Sequence, residues 1–269
     1  MVDLIAIDLD GTLLTDERKV TKENYEAIHY ALKKGVKVVL CTGRPYLGMN
    51  HVVEEVGLTS DDDYIITFNG SLVQKASDGE ILARNTMTFD DLKIWKEELD
   101  RLKLPLNVID EDYVYYPSSY PDDQSSIYLS DVTVAPSQEK DFESFEPDHD
   151  FNKFVIAINE EYLDQQLEDL NPALLEKYSV VKSHPFLLEV MSKGTHKAKG
   201  ISQLAEFLNI DRSRIMGIGD QENDQTMIEW AGIGVGMDNA VDAVKEVSDD
   251  ITASNNDSGV AQAIYKYVK

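Results

Sequence analysis

Apolar and polar positions alternate along the chain in blocks whose period changes. Residues 4–7 form a short apolar run, followed at once by Asp8, Asp10, Gly11 and Thr12. Such a run predicts a buried strand whose end delivers two carboxylates one residue apart. Thr21 then precedes a stretch in which Tyr25, Ile28 and Leu32 fall on one helical face, and Gly35 closes it. The apolar runs at 36–43 and 64–70 predict further strands, with a helix over 46–57 between them. Short strands separated by helices specify a parallel sheet wrapped on both faces.

The pattern changes at residue 72. Asp78-Gly79 lies between two extended arms over 72–85, which predicts a β-hairpin, and Thr88 three residues before Asp91 is a helix-start signature. From there to about 185, consecutive strands alternate with helices around a Tyr/Pro/Asp/Ser-rich stretch at 110–131. Consecutive strand pairs imply an antiparallel sheet with helices on one face. After 185–191 the first pattern returns: a helix at about 196–208, a strand at 214–220 ending on Asp220, a helix from near Asn223, a strand in 232–237, and helices on either side of 249–252. The expected fold class is α/β. A Rossmann-like parallel sheet core wrapped by helices comes from 1–84 and 188–269, and a second α/β domain is inserted at 85–187.

Length and composition leave this picture unchanged, whereas charge adds to it. The 269 residues suffice for a large core with an insertion. No apolar stretch approaches the roughly 20 residues of a membrane span. The chain enters its first strand without the basic and apolar regions of a leader, and its single cysteine, Cys41, allows no intramolecular disulfide. A cytoplasmic protein is expected. Fifty acidic against 25 basic residues give a net charge of -25. That balance argues against nucleic acid and anionic membrane surfaces as partners. It would also repel a phosphorylated small molecule at long range, so such a ligand would need a metal ion and a few well-placed cations.

In an open parallel sheet, ligands gather outside the carboxyl ends of the strands. The polar residues expected there are Asp8 and Asp10, then Thr42, Gly43 and Arg44, then Asn69, then Asp220, Asn223 and Asp224. Converging carboxylates oppose one another's ionisation unless a cation lies between them, and oxygen-only ligands suit Mg²⁺. His29, His51, His149, His184 and His196 lack zinc-ligand spacing. A calcium loop needs Gly at its sixth position and Glu at its twelfth. Counted from Asp8 the chain has Leu13 and Lys19 there, and counted from Asp220 it has Gln225 and Ala231. Mg²⁺ beside an aspartate, a hydroxyl and a lysine makes a phosphoryl-transfer site, in which an aspartate can attack phosphorus in line. Attraction would then be local although the overall field is repulsive.

In chain order, "DLDGT" (8–12), "TGR" (42–44), a lysine opening the helix after the insertion, and "GDQEND" (219–224) resemble the motifs of haloacid dehalogenase superfamily phosphatases. "ITFNG" (66–70) and the long insertion after it resemble the Cof-type subfamily of sugar-phosphate phosphatases, whose cap domain sits there. The resemblance spans the whole chain. It implies a phosphatase of small phosphorylated metabolites, above all sugar phosphates, whose cap closes over the crevice and chooses the leaving group. It further implies that Asp8 is the nucleophile and a Mg²⁺ ligand. Asp10 would be the general acid and then the base, with its backbone carbonyl on the metal. Thr42 and the amide of Gly43 would hold phosphoryl oxygens, and Asp220 would complete the metal ligands with Asp224 and Asn223 in support. The family's lysine is ordinarily followed by glycine, but here "HKAKG" places Ala198 after Lys197 and Gly200 after Lys199. The apolar helix face of Ile201, Leu204 and Leu208 aligns Lys197, with Lys199 as the alternative.

Arg44 and Asn69 are candidate substrate contacts, but a surface ion pair and an Asn-Gly turn account for them equally well. Asn255 reads as a helix-start or turn residue. Tyrosines 113, 115, 116, 120 and 128 read as half core and half exposed strand, and the acidic stretch 141–150 as a solvated loop. A phosphomutase or a non-catalytic phosphosugar sensor would carry similar residues. The substrate and the oligomeric state are not legible at this level.

Overall fold

The computed structural model describes residues 1–131 and 135–269. They form two compact units, one from Met1–Arg84 with His196–Lys269 and the other from Asn85–Thr195.

Across the core sheet the strands run Asp250–Ile251, Ile233–Gly236, Ile215–Gly219, Leu4–Asp8, Lys37–Cys41, Tyr64–Thr67, Leu72–Lys75 and Ile81–Arg84. The first six are mutually parallel, and the predicted hairpin adds the last two antiparallel. Successive strand residues face opposite ways, so each strand serves two cores. Ile5, Ile7, Val38, Leu40 and Ile218 meet Ala27 and Ile28 of helix Lys22–Lys33 and Val260 and Ile264 of helix Gly259–Tyr267. Leu4, Ala6, Val39 and Ile66 meet Ile201 and Leu204 of helix Lys197–Leu208 on the other side. Two covered faces are why every residue of Leu4–Asp8 is buried.

Two local details differ from the pattern reading. Thr21 caps helix Lys22–Lys33 as expected, accepting the Asn24 N–H, but the buried face is Asn24, Ala27, Ile28 and Ala31, and Tyr25 is exposed. The stripe is turned because a polar residue sits in it. The Asn24 amide donates to the Leu13 carbonyl and accepts the Ala261 N–H, which a count of apolar residues does not register. The third strand also stops at Thr67. Residues Phe68–Gly70 form a tight turn in which Phe68, Asn69 and Gly70 have φ of 49°, 56° and 95°.

The inserted unit carries a six-stranded sheet in the order Tyr178–His184, Leu187–Ser192, Lys153–Ala157, Asn107–Ile109, Val114–Tyr116, Ser137–Glu139. Its pairs are antiparallel except the last, which is parallel. The connection over 117–136 is long enough for the crossover a parallel pair requires. Leu92, Trp95 and Leu99 of helix Phe89–Arg101, Leu163 of Glu160–Leu167 and Leu174 of Pro172–Lys177 share one cluster with Val108, Phe154, Ile156, Leu188 and Val190, so these helices cover one sheet face. Thr88 and Asp91 form the reciprocal capping box. Leu187–Ser192 pairs antiparallel on both sides, which carries this unit on to Thr195 instead of ending it at 187. The acidic stretch is not all solvated either, since Phe142 and Phe145 anchor it in the core while Asp141, Glu143, Glu146 and Asp148 are exposed. Among the described residues no helix is long and apolar enough to cross a membrane.

Candidate active site

Parallel register brings four strand ends to one edge of the core sheet. Asp8 pairs with Cys41, Ile7 with Ile218 and Cys41 with Ile66. The chain therefore leaves these strands through Asp8–Asp10, Thr42–Arg44, Asn69 and Asp220–Asp224 along that edge. Every one of these residues, and Lys197, lies in the core unit.

Of the two lysines, Lys197 is the one that lies against the acids. It opens its helix with a fully buried side chain whose Nζ donates to Asp8 Oδ1 and, at 2.6 Å, to Asp224 Oδ1, whereas Lys199 is exposed. Two glycines bring the helix close enough. A Cβ on Gly70 would stand 2.2 Å from the His196 carbonyl oxygen, and one on Gly200 would stand 2.7 Å from Ile66 and 3.1 Å from the Gly70 Cα. His196 caps the helix, its Nδ1 accepting the Lys199 N–H.

Asp224 is fully engaged. Its Oδ1 accepts from Lys197 and its Oδ2 from the Asp220 and Gln221 amides at 3.0 and 3.1 Å. Asp220 accepts the Thr12 hydroxyl at 2.7 Å and the Gln221 side-chain amide at 3.2 Å. Asp8, Asp220 and Asp224 are all buried, and one oxygen from each can be chosen so that the three lie within 4.8 Å of one another. Burial, and after it the charge of Asp224, pushes Asp8 up to about 8 despite Lys197. Burial is also the main cause that raises Asp220 to about 6. Burial works against the Lys197 charge too, but Asp224 and Asp8 outweigh it and hold its pKa above the ordinary lysine range. One ammonium thus faces three carboxylates. This hard, oxygen-only, charge-deficient set fits a small divalent cation. Asp8, Asp220 and Asp224 could each offer an oxygen to it.

Asp10 is placed differently. Its carboxylate is exposed, lies outside the buried trio, and is held by the Arg44 guanidinium, with Nε donating to Oδ2 at 2.9 Å and Nη2 to Oδ1. Arg44 thus forms an ion pair, and its partner is an acid of the site itself. Thr42 is buried, and its hydroxyl accepts the Arg44 N–H at 3.1 Å. The Asn69 N–H donates to the Thr42 carbonyl, and the Asn223 amide donates to Asn69 Oδ1 at 3.1 Å, so the three loops interlock. A Cβ on Gly43 would come within 3.2 Å of the Asn69 amide group, which would have to shift by a few tenths of an ångström to admit it.

Several contributors have no role in the sequence reading. Thr12 stands inside a quoted motif, yet only the fold shows its hydroxyl on Asp220. Gln221 braces Asp220, and Asn239 donates to the Gly11 carbonyl at 2.8 Å. Asn255, expected at a helix start or turn, does open the tight turn Asn255–Asp257, and it is also buried and donates to the Leu14 carbonyl at 3.0 Å. The contacts of Thr12, Asn239 and Asn255 cross more than 200 residues of chain and leave no local signal.

The chain matches the sequence profile of haloacid dehalogenase-like hydrolases over residues 5–264. It is 38% identical over 268 residues to YxeH of Bacillus subtilis (strain 168), covering 100% of this chain and 99% of that one. It is 30% identical over 274 residues to the 5-amino-6-(5-phospho-D-ribitylamino)uracil phosphatase YitU of the same strain, covering 98% and 97%. Among solved structures, a haloacid dehalogenase-like hydrolase from Bacteroides thetaiotaomicron superposes with a TM-score of 0.83 at 28% identity, over 99% of each chain.

Proposed function

The chain belongs to the haloacid dehalogenase-like hydrolases and is a phosphatase of that family, and we propose that it hydrolyses phosphate monoesters of polyhydroxylated carbon chains, sugar phosphates above all. The observation that carries this reading is the buried Lys197 ammonium clamped between Asp8 and Asp224 beside Asp220. It supplies positive charge where a phosphoryl group would meet a carboxylate nucleophile. The relative YitU, named for a phosphorylated ribityl chain, supports the substrate class.

Mg²⁺ would be held by Asp8, Asp220 and the backbone carbonyl of Asp10, and would neutralise phosphoryl oxygens while keeping Asp8 ionised. The Thr42 hydroxyl, the Gly43 N–H and Lys197 bind phosphoryl oxygens. An Asp8 oxygen attacks phosphorus in line, the bond from phosphorus to the ester oxygen breaks, and Asp10, which takes up a proton from solvent on parting from Arg44, gives it to that leaving oxygen. Asp10 then takes a proton from water, which attacks the aspartyl-phosphate and frees phosphate and Asp8. To do this Asp10 must leave Arg44, whose guanidinium is then available to the substrate. The single buried Cys41 suits a reducing cytoplasm.

The test is phosphate release from a panel of sugar and sugar-alcohol phosphates, nucleotides and p-nitrophenyl phosphate. It is run with Mg²⁺ and with chelator, on native protein and Asp8→Asn. Release should require the metal and fall to background in the folded variant. Substantial turnover by purified Asp8→Asn would refute the nucleophile. Isomerised sugar phosphate without free phosphate would mark a mutase, and protection against heat without turnover would mark a sensor.

A further inference from the structure

We infer that Asn239 and Asn255 are positioning residues for Asp10, forming a two-asparagine clamp that fixes the backbone of the loop bearing it; the catalytic half of this inference rests on the phosphatase reading. The loop after strand Leu4–Asp8 turns sharply, with the N–H groups of Thr12 and Leu14 donating to the Leu9 carbonyl and that of Leu13 to Asp8. Gly11 within it has φ +79°, and a Cβ there would stand 2.4 Å from Asp220 Oδ2. The next peptides are gripped from outside. Asn239, in the loop after strand Ile233–Gly236, donates its amide to the Gly11 carbonyl at 2.8 Å. Asn255, in the loop after strand Asp250–Ile251, donates its backbone N–H to Asn239 Oδ1 at 3.0 Å and its side-chain amide to the Leu14 carbonyl at 3.0 Å. The same amide also donates to Asp16 at 3.1 Å, and Asn256 donates to the other Asp16 oxygen at 3.0 Å.

The purpose follows from what Arg44 cannot do. Among the described residues the Asp10 carboxylate is fixed only through Arg44, a contact that it must give up to reach a leaving oxygen. During the reaction its position has to come from its own backbone. The clamp grips that backbone at Gly11 and Leu14, on either side of Thr12, whose hydroxyl reaches Asp220. One device thereby sets the general acid and a carboxylate of the buried trio in a fixed relation.

The two asparagines allow a clean test because Asn239 is exposed and Asn255 is buried. Asn239→Ala should leave the melting temperature near that of the native protein. General-acid assistance matters most for poor leaving groups, so kcat/KM should fall by about 10–100-fold on the best alkyl phosphate of the panel. On p-nitrophenyl phosphate, whose leaving group needs little protonation, it should fall less than about threefold. Amide hydrogen exchange should quicken at residues 11–15 and stay unchanged in the strands. Asn255→Ala should show the same leaving-group contrast together with a lowered melting temperature. Equal losses on the two substrates, or unchanged exchange over 11–15 in Asn239→Ala, would overturn the clamp. If native protein hydrolyses neither substrate, the phosphatase reading fails, and the exchange result still decides whether the clamp holds the loop.

Discussion

At the scale of single residues, Lys197 carries the most consequence. Its aliphatic stem and ammonium are wholly enclosed, and its charge is balanced by Asp8 and Asp224. Replacing it by methionine keeps the bulk and removes the charge, stranding two buried carboxylates. Breaking a buried pair in this way costs about 3–5 kcal/mol, so Lys197→Met should melt well below native protein at pH 8 and have no measurable turnover. The same variant should recover much of its stability at pH 5, where protonation of Asp8, raised already in the native protein, relieves the cluster. Lys199→Met changes an exposed side chain two residues away. Its stability should shift by no more than about 0.5 kcal/mol, and its turnover should remain near native. Thermal melts of both variants at the two pH values, with phosphate release at neutral pH, distinguish the two lysines directly. A Lys197→Met protein as stable and active as Lys199→Met would dismiss this account of the site.

At the scale of elements, the Phe68–Gly70 turn controls where Lys197 starts its helix. Gly70→Ala meets two penalties: a left-handed φ and a Cβ placed 2.2 Å from the His196 carbonyl. Gly35→Ala is the matched control, since Gly35 has φ +79° with no atom within 4 Å of the added Cβ. The control should lose only the conformational cost of about 1–2 kcal/mol and keep its activity. Gly70→Ala should lose more stability, and phosphate release with it, because the helix end must move. If the two glycine variants lose activity equally, the turn does not position the lysine. This turn also shows where sequence reading reaches its limit. The order of strands and helices in the core, the hairpin at Asp78-Gly79 and the Thr88 capping box were legible, because each rests on local periodicity or local hydrogen bonds. The strand-end residues could be named for the same reason: an apolar run fixes where a strand stops facing the core. The left-handed Phe68, the turned face of helix Lys22–Lys33, the parallel pair in the inserted sheet and the grip of Asn239 on Gly11 were not legible. Each depends on a partner far away in the chain, which no window of residues contains.

At the scale of the whole molecule, the buried acids tie folding stability to pH and to metal. Asp8 and Asp220 have pKa values of about 8 and about 6 in the folded protein against 3.8 as the ordinary value. For an acid whose pKa rises on folding, the native state binds more protons than the unfolded chain between the two values, so stability falls as pH rises through that window. Acids held low by partners, such as Glu189 and Asp91, act in the opposite sense, but their stability is lost only as pH falls below the ordinary carboxylate range. Metal-free protein should therefore melt higher at pH 5 than at pH 8, by about 2–4 °C for one to two kcal/mol in a chain of this size. The net charge of -25 produces a slope of the same sign through self-repulsion. Salt separates the two causes, because a Debye length of about 3 Å at 1 M screens exposed charges and leaves a buried cluster nearly untouched. The difference that survives at 1 M salt should vanish on adding Mg²⁺, which replaces the protons, and should shrink in Asp220→Asn. If melting in chelator is flat from pH 5 to 8 at high salt, the three carboxylates do not share an unmet charge, and the case for a cation among them falls with it.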